Sequence, residues 1–199
     1  MSQYTIAAVV EGYGEVQSLP VLIPRIAYEL LGFSGGLRVE KPHRAAQSDM
    51  RDAACLSRYL RLQALKVSQR GGEGGVLVLR DGDDKQVSCP VELARLLAPA
   101  GAGLPVQVEV VIACREYEAW FLAAVESLRA HKSVRDDATS PPEPEARRDA
   151  KRQLEALMNE NYKPTLHQAA FSHFLDLDTA WATSRSFRRL VHAVELLLT

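Results

Sequence analysis

The sequence predicts an α/β fold with a mainly parallel, Rossmann-like sheet of four strands flanked by helices. Short apolar, β-branched segments alternate with segments whose apolar residues recur at three and four positions, the period of amphipathic helices. Strands that alternate with helices need crossover connections, which make neighbouring strands parallel and cover both faces of the sheet. With 199 residues, 47% of them hydrophobic, the chain is long enough to form one domain around a sizeable core.

Four segments are predicted to be strands, and each ends where an apolar run stops. The first, YTIAAVV, stops at Glu11, and the third, VLVLR, stops at Asp81. The second is short and follows a Gly-Gly pair, which punctuates the chain. The predicted strands are residues 4–10, 37–40, 75–80 and 106–113.

The helices of the core are predicted from the spacing of apolar residues. Pro24 lies inside the first helix and is expected to kink it, because proline cannot donate a backbone hydrogen bond. The second helix carries many arginines between its apolar residues, which indicates a solvated basic face. The predicted core helices are residues 15–31, 49–69, 90–97 and 116–129.

Composition divides the single predicted domain into three parts. Residues 1–129 hold the alternating pattern and form the α/β core. Residues 130–144 are polar, contain prolines and lack periodicity, which predicts an exposed or partly disordered loop. Residues 145–199 are predicted to be a helical extension that packs on one edge of the sheet. Its predicted helices are residues 145–159, 165–175 and 184–198.

Bulk charge does not indicate a partner. The 24 basic and 25 acidic residues give a formal net charge of −1, so no overall attraction to nucleic acid is expected. Arg185, Arg188 and Arg189 could contact a phosphate backbone, but their helical spacing suits a solvated face equally well. The chain has neither a leader-like N-terminus nor an apolar segment that could span a bilayer, which predicts a cytoplasmic protein without a membrane partner.

Acidic residues follow two of the predicted strands. Glu11 comes directly after the first strand, and Asp81 and Asp83 come after the third. The carboxyl ends of parallel strands share one edge of the sheet, where ligands of α/β proteins collect. If the two strands are neighbours, three carboxylates converge and repel one another unless a cation lies between them. Oxygen ligands favour Mg²⁺ or Mn²⁺, and Mg²⁺ usually keeps places for waters and substrate phosphates.

Further acids follow at the same edge. Glu15 lies one turn into the first helix, and Glu116 and Glu118 follow the fourth strand, so a second ion could bind as in two-metal phosphodiester-cleaving sites. A structural explanation stays open for each acid. An Asp-Gly-Asp sequence suits a tight turn, and Asp84 could cap the following helix. Glu116 and Glu118 could complement a helix dipole.

Several segments resemble a known family. A strand closing in Glu-Gly, followed two strand-helix units later by a strand closing in Asp-x-Asp, resembles the Toprim domain of topoisomerases, primases and OLD-family nucleases. More closely, VVEGYGEVQSLPVLIPRI, VLVLRDGDD, CREYEAWFLA and NENYKPTLHQAAF resemble the bacterial, Toprim-like DUF4276 family, in order along nearly the whole chain. The Glu-x-x-x-Trp-Phe-Leu run after the fourth strand strengthens this likeness.

The resemblance implies a Toprim fold and Mg²⁺-dependent phosphodiester chemistry. It places Glu11 in the family's glutamate position, Asp81 and Asp83 in its Asp-x-Asp position, and Glu15 in the position of a second, assisting glutamate. Lys163, in the family-like segment NENYKP, could offset negative charge in a phosphoryl transition state. Homologous families often accompany an ATPase in antiphage defence loci, which implies a nuclease effector restrained by an ATPase partner protein.

Three functions compete. The first is a nuclease that cleaves DNA or RNA with Mg²⁺ held by Asp81, Asp83 and Glu11. In it, Glu15 or Glu118 is the general base or binds a second ion. The second is a phosphohydrolase with Asp81 as nucleophile, which is disfavoured because that signature belongs on a first strand. The third is a non-catalytic, metal-binding regulatory subunit of an ATPase-containing complex. Walker and dinucleotide-binding signatures are lacking, so ATP or NAD binding is not predicted.

Overall fold

A parallel sheet forms the centre of the protein in a computed structural model that describes residues 3–84, 86–87, 89–146 and 148–199. The strands in these ranges are β1 (Gln3–Val10), β2 (Gly36–Val39), β3 (His43–Arg44), β4 (Gly74–Asp81) and β5 (Gln107–Ala113). They pair in the order β2-β1-β4-β5, and β3 also pairs with β1. All of these pairings are parallel, so the α/β class and the Rossmann-like sheet are confirmed.

The sheet has one short strand more than the four that were predicted. β3 continues the line of β2 along the same edge of β1, because Val39 pairs with Ile6 and His43 pairs with Val9. Pro42 lies in the gap between them, and proline has no N–H to donate to the ladder. Two residues are too few to show alternation, so no pattern in the sequence reveals this strand.

Helices fill the connections and the C-terminal part of the chain. In the described ranges the α-helices are α1 (Tyr13–Arg25), α2 (Gln47–Arg51), α3 (Ala53–Gln69), α4 (Pro90–Leu97), α5 (Glu118–Leu122), α6 (Ala150–Ala156), α7 (Pro164–Phe174), α8 (Leu177–Thr183) and α9 (Arg185–Leu197). A π-helical turn, Ile26–Leu30, continues α1, and 3₁₀ turns at Ala98–Gly101 and Val125–Ala130 follow α4 and α5. Within the described part of the chain, no helix combines the length and the apolarity needed to cross a membrane.

Two of the predicted helices are interrupted for local reasons. The first becomes π-helical from Ile26, shortly after Pro24, where the missing N–H breaks the regular ladder. The helix predicted at 49–69 is divided at Asp52. The Asp52 carboxylate accepts hydrogen bonds from the backbone N–H groups of Ala54 and Cys55, both at 2.8 Å, and so begins α3.

Residues 130–144 contain no α-helix, as predicted, but the expected exposure is wrong for part of the segment. Ser133, Val134 and Ala138 are buried. Val134 also forms an isolated bridge with Met158. The apolar residues of this segment are too sparse to form a periodic pattern, yet they join the main hydrophobic core.

The two faces of the sheet are covered by different helices. α3 and α4 cover the face to which Val76 and Val78 belong. α1 and α9 cover the opposite face, to which Leu77 and Leu79 belong. The connections before and after β4 place their helices, α3 and α4, on the first face of the sheet. Without α9, the second face of β4 and β5 would therefore be exposed to solvent. The extension therefore reaches the sheet through α9, which packs on a face of the sheet and not, as was predicted for the extension, on an edge.

Candidate functional site

A cleft of about 420 Å³ opens at the carboxyl ends of the central strands. β1 and β4 are neighbours in the sheet. The strand that follows β1 in the chain, β2, lies toward one edge of the sheet, and the strand that follows β4, β5, lies toward the other edge. Such a reversal creates the crevice in which α/β sheets bind ligands. The cleft is lined by Glu11, Gly12, Tyr13, Gly14, Glu15, Gln47, Asp81, Asp83, Glu116, Glu118, Lys151, Pro164, Thr165 and Gln168. Five of the six predicted site residues are in this set.

Three of these acids, Glu15, Asp81 and Glu118, form what we call the inner acid cluster. Asp81 ends β4, Glu15 lies in the first turn of α1, and Glu118 begins α5. Glu15 and Glu118 are only 7% and 4% exposed. Residue alternation in β4 places Asp81 on the face of Leu77 and Leu79, which is the face that α1 covers.

Burial and mutual repulsion disfavour the ionised forms of the cluster. Burial, and then the charges of Glu118 and Glu11, raise the pKa of Glu15 to about 7. Burial and the charges of Glu118 and Glu15 raise the pKa of Asp81 well above its usual range. Burial, and then the charge of Glu116, raises the pKa of Glu118. In the described part of the chain, Oε2 of Glu15 is buried without a hydrogen-bond partner. The cluster is thus short of positive charge.

Neutral donors hold two carboxylates of the cluster in place. The backbone N–H of Tyr117 donates to Asp81 Oδ1 at 2.9 Å, and Nε2 of Gln168 donates to Glu118 Oε1 at 3.3 Å. Gln168 lies on α7, and the close packing of α7 on α1 needs a glycine at Gly14. A Cβ at that position would collide with the Gln168 amide and lie 2.9 Å from Pro164 Cβ. Sequence reasoning missed Gln168, because an amide on a distant helix carries no recognisable pattern.

Glu11 reaches the same cleft but is paired with a buried arginine. Val10 pairs with Leu79, so the following residues, Glu11 and Arg80, lie opposite each other. The Arg80 side chain is fully buried, and its Nε lies 3.3 Å from Glu11 Oε2. Burial raises the pKa of Glu11 despite the opposing effect of the Arg80 charge. Sequence reasoning missed Arg80, although an arginine inside an apolar central strand signals that carboxylate partners lie nearby.

Asp84 has a structural role, but it is not the helix cap considered above. Its carboxylate accepts hydrogen bonds from the backbone N–H groups of Gln86 at 2.8 Å and Val87 at 3.2 Å. It also pairs with Arg80 and, at 2.9 Å, with Arg51. Burial opposes its ionisation, but these donors outweigh burial and hold the pKa of Asp84 below its usual range. Asp84 therefore ties the segment after β4 to the buried arginine.

Asp83 and several cations surround the mouth of the cleft. The Asp83 side chain is 48% exposed, and its Oδ1 lies 3.8 Å from Arg148 Nε. Lys151, exposed in the first turn of α6, lines the cleft. Lys163 is exposed and is not among the described residues that line it, although the adjacent Pro164 is. The structure thus brings Lys151 to the cleft and does not bring Lys163 there.

Structural roles account for other residues that were considered as functional. Glu116 Oε2 accepts a hydrogen bond from the backbone N–H of Lys151 at 2.7 Å, at the start of α6. Arg189 pairs with Glu109, and Arg188 donates to backbone carbonyls at the end of α8. The arginines of α9 are therefore used within the fold to a large extent.

Carboxylate oxygens, such as those of the inner acid cluster, are the kind of ligand that hard divalent cations prefer. In residues 3–84, 86–87, 89–146 and 148–199, no group of three or more His, Cys, Asp or Glu side chains is already arranged to hold a metal ion. A cation would nevertheless relieve both the unpartnered Glu15 oxygen and the repulsion within the cluster. Glu15, Asp81 and Glu118 are the residues that would hold Mg²⁺ or Mn²⁺.

One family model matches the chain. It is described as a domain of unknown function, DUF4276, and it covers residues 10–195, which include every residue that lines the cleft. Comparison with curated proteins and with solved structures gives no match.

Proposed function

The chain belongs to the DUF4276 family, and we propose that it is a Toprim-type nuclease that hydrolyses phosphodiester bonds of DNA or RNA with Mg²⁺ or Mn²⁺. The observation that carries the proposal is the inner acid cluster. It lies in a cleft between β1 and β4, the neighbouring strands from which the crossover connections lead to opposite sides of the sheet. The order of acids along the chain supports a Toprim relationship. Glu11 follows β1, and Asp81 and Asp83 come at the end of the neighbouring parallel strand, β4.

The residues of the cleft have distinct tasks in this reaction. When bound, the divalent ion supplies Lewis acidity and neutralises charge on the phosphodiester. Asp81 and Glu118 would hold the ion, and Gln168 orients Glu118. Glu15, the remaining acid of the cluster, would complete the set of ligands for the ion or accept a proton from the attacking water. Lys151, at the mouth, attracts the phosphate backbone.

The proposal is tested by incubating the purified protein with labelled DNA and RNA, single-stranded and double-stranded, in Mg²⁺, in Mn²⁺ and in EDTA. We expect cleavage with either metal and none with the chelator. Asp81→Asn should abolish cleavage. The matched control is Asp136→Asn, because Asp136 is an exposed aspartate outside the cleft, and this variant should cleave as the wild type does. Cleavage that persists in EDTA or in Asp81→Asn would refute the proposal.

The two competing functions give different results in the same experiments. A metal-binding subunit of an ATPase-containing complex would show a Mg²⁺-dependent rise in melting temperature, lost in Asp81→Asn, and would cleave no substrate. A phosphohydrolase would act on phosphate monoesters and leave a trappable acyl phosphate on Asp81. A defence effector restrained by an ATPase partner would be toxic when produced alone in cells, and Asp81→Asn would relieve the toxicity.

A further inference from the structure

An exposed aromatic ring lies at the mouth of the cleft. Tyr13 is 64% exposed, lines the cleft and opens α1 between Gly12 and Gly14. The exposure of the ring leaves it accessible to a ligand that enters the cleft. Its position in the chain is also telling, because Tyr13 lies two residues after Glu11 and two before Glu15.

A cation supports one face of this ring. The guanidinium carbon of Arg44, an exposed residue of β3, lies 4.3 Å from the centroid of the Tyr13 ring. A guanidinium over an aromatic face is attracted by the ring quadrupole and restrains the ring. The pair therefore presents a positioned aromatic surface together with a positive charge, which are the two elements that single-strand binding sites combine.

We propose that Tyr13, backed by Arg44, is a stacking platform for an unpaired base of the substrate, so that the cleft selects single-stranded DNA or RNA. This inference rests on the proposed nuclease function and specifies its substrate class. In a duplex both faces of a base are covered by its neighbours, so only an unpaired or end base can stack on a side chain. The cleft volume of about 420 Å³ is at the small end for ligand sites and suits part of one strand.

The charges around the cleft agree with a strand that passes over the platform. Arg44 lies over the Tyr13 ring, Lys151 lines the cleft, and Arg148, just before α6, lies 3.8 Å from Asp83 at the mouth. Cations in these places contact phosphates, while the platform contacts a base. A base stacked on Tyr13 brings its own phosphates into the cleft that the acids line.

The test measures binding in EDTA, where cleavage does not interfere. Fluorescence anisotropy gives the affinity of the full chain for a short labelled oligothymidylate, for an abasic strand of the same length and for the matching duplex. We expect Tyr13→Ala to weaken binding of the oligothymidylate about 5- to 100-fold, the effect of one lost stacking contact, and to leave the abasic strand unaffected. Tyr13→Phe should bind as the wild type does. Trp181→Ala, which removes an exposed aromatic ring outside the cleft, should change nothing.

Three results would overturn the inference: no binding of the single strand by the wild type, no loss in Tyr13→Ala, or an equal loss for the abasic strand. In Mg²⁺, Tyr13→Ala should raise KM for the single strand with little change in kcat, as expected for a binding residue. Cleavage that depends on Asp81 but not on Tyr13 would refute this inference and leave the nuclease proposal standing. Binding that depends on Tyr13 without any cleavage would refute only the nuclease proposal.

Discussion

Replacement of Arg80 by methionine should strongly destabilise the protein. Arg80 lies on the central strand β4, its side chain is fully buried, and it pairs with Glu11 and with Asp84. Methionine occupies a similar volume but leaves both carboxylates without this cation. Asp84 is itself almost completely buried, so water cannot replace the lost partner.

The burial of Arg80 and Asp84 determines how much stability Arg80→Met should lose. Breaking a buried ion pair by removing one partner costs about 3–5 kcal/mol, because an uncompensated charge stays behind. Asp84 keeps Arg51 and two backbone donors, so we expect the lower end, about 3 kcal/mol. Arg51→Met is the matched control, since it removes the second arginine from the same carboxylate. The Arg51 side chain is 33% exposed, and pairs near the surface contribute about 1 kcal/mol or less.

Urea denaturation followed by circular dichroism measures the free energy of unfolding of both variants. The folded state holds the pKa of Asp84 below its ordinary value of 3.8, so the stabilisation from this carboxylate is present above that pH and is lost as the pH falls. The difference in free energy of unfolding between the wild type and Arg80→Met should therefore become smaller below pH 3.8. If Arg80→Met loses no more stability at neutral pH than Arg51→Met, Arg80 does not provide the buried counter-charge.

Three further predictions concern the cleft. The pKa of Glu15 is about 7 in the folded protein and 4.5 ordinarily, so the free energy of unfolding of the metal-free protein should fall by up to about 3 kcal/mol as the pH rises between these values. The melting temperature should fall with it, and Glu15→Gln should make this fall smaller. An unchanged fall in Glu15→Gln would contradict the assignment to Glu15. Mg²⁺ should raise the melting temperature of the wild type but not of Glu118→Gln, which lacks a buried carboxylate of the cluster. The control is Glu73→Gln, an exposed position, and Mg²⁺ should raise its melting temperature as in the wild type. Equal rises in the wild type and both variants would show that the ion binds elsewhere. Gly14→Ala should lower the free energy of unfolding, measured by urea denaturation, by about 1–3 kcal/mol, because its Cβ collides with Gln168. Adding Gln168→Ala should restore part of this stability. Full stability of Gly14→Ala alone would show that α1 and α7 can move apart.

The parallel sheet and the edge at which acids gather were predictable from the sequence. Apolar runs and helical spacing identify the elements, and parallel strands carry their carboxyl ends to one edge. What the sequence does not reveal is which face of the sheet each acid occupies. Arg80 and Asp81 alternate to opposite faces of β4, so Glu11 pairs with Arg80 while Asp81 joins Glu15. That division depends on the register between β1 and β4, which no local pattern encodes.

Residues supplied by distant helices were also beyond prediction. Lys151 and Gln168 reach the cleft because α6 and α7 pack beside α5 and α1, and those contacts are tertiary. The sequence predicts Lys163 as a cation of the site because of the segment in which it lies, and that segment does reach the cleft through Pro164 and Thr165. The side chain of Lys163 itself is solvent-exposed instead.

The position of α9 has a consequence for how the core is completed. This helix covers the face of β4 and β5 that lacks a crossover helix, and Leu190, Val194 and Leu197 belong to the same apolar cluster as Leu77. Until residues 185–197 have been synthesised and have packed, that apolar face is exposed to solvent, and exposed apolar surface makes folding intermediates prone to aggregate. Deletion of these residues should therefore yield aggregates.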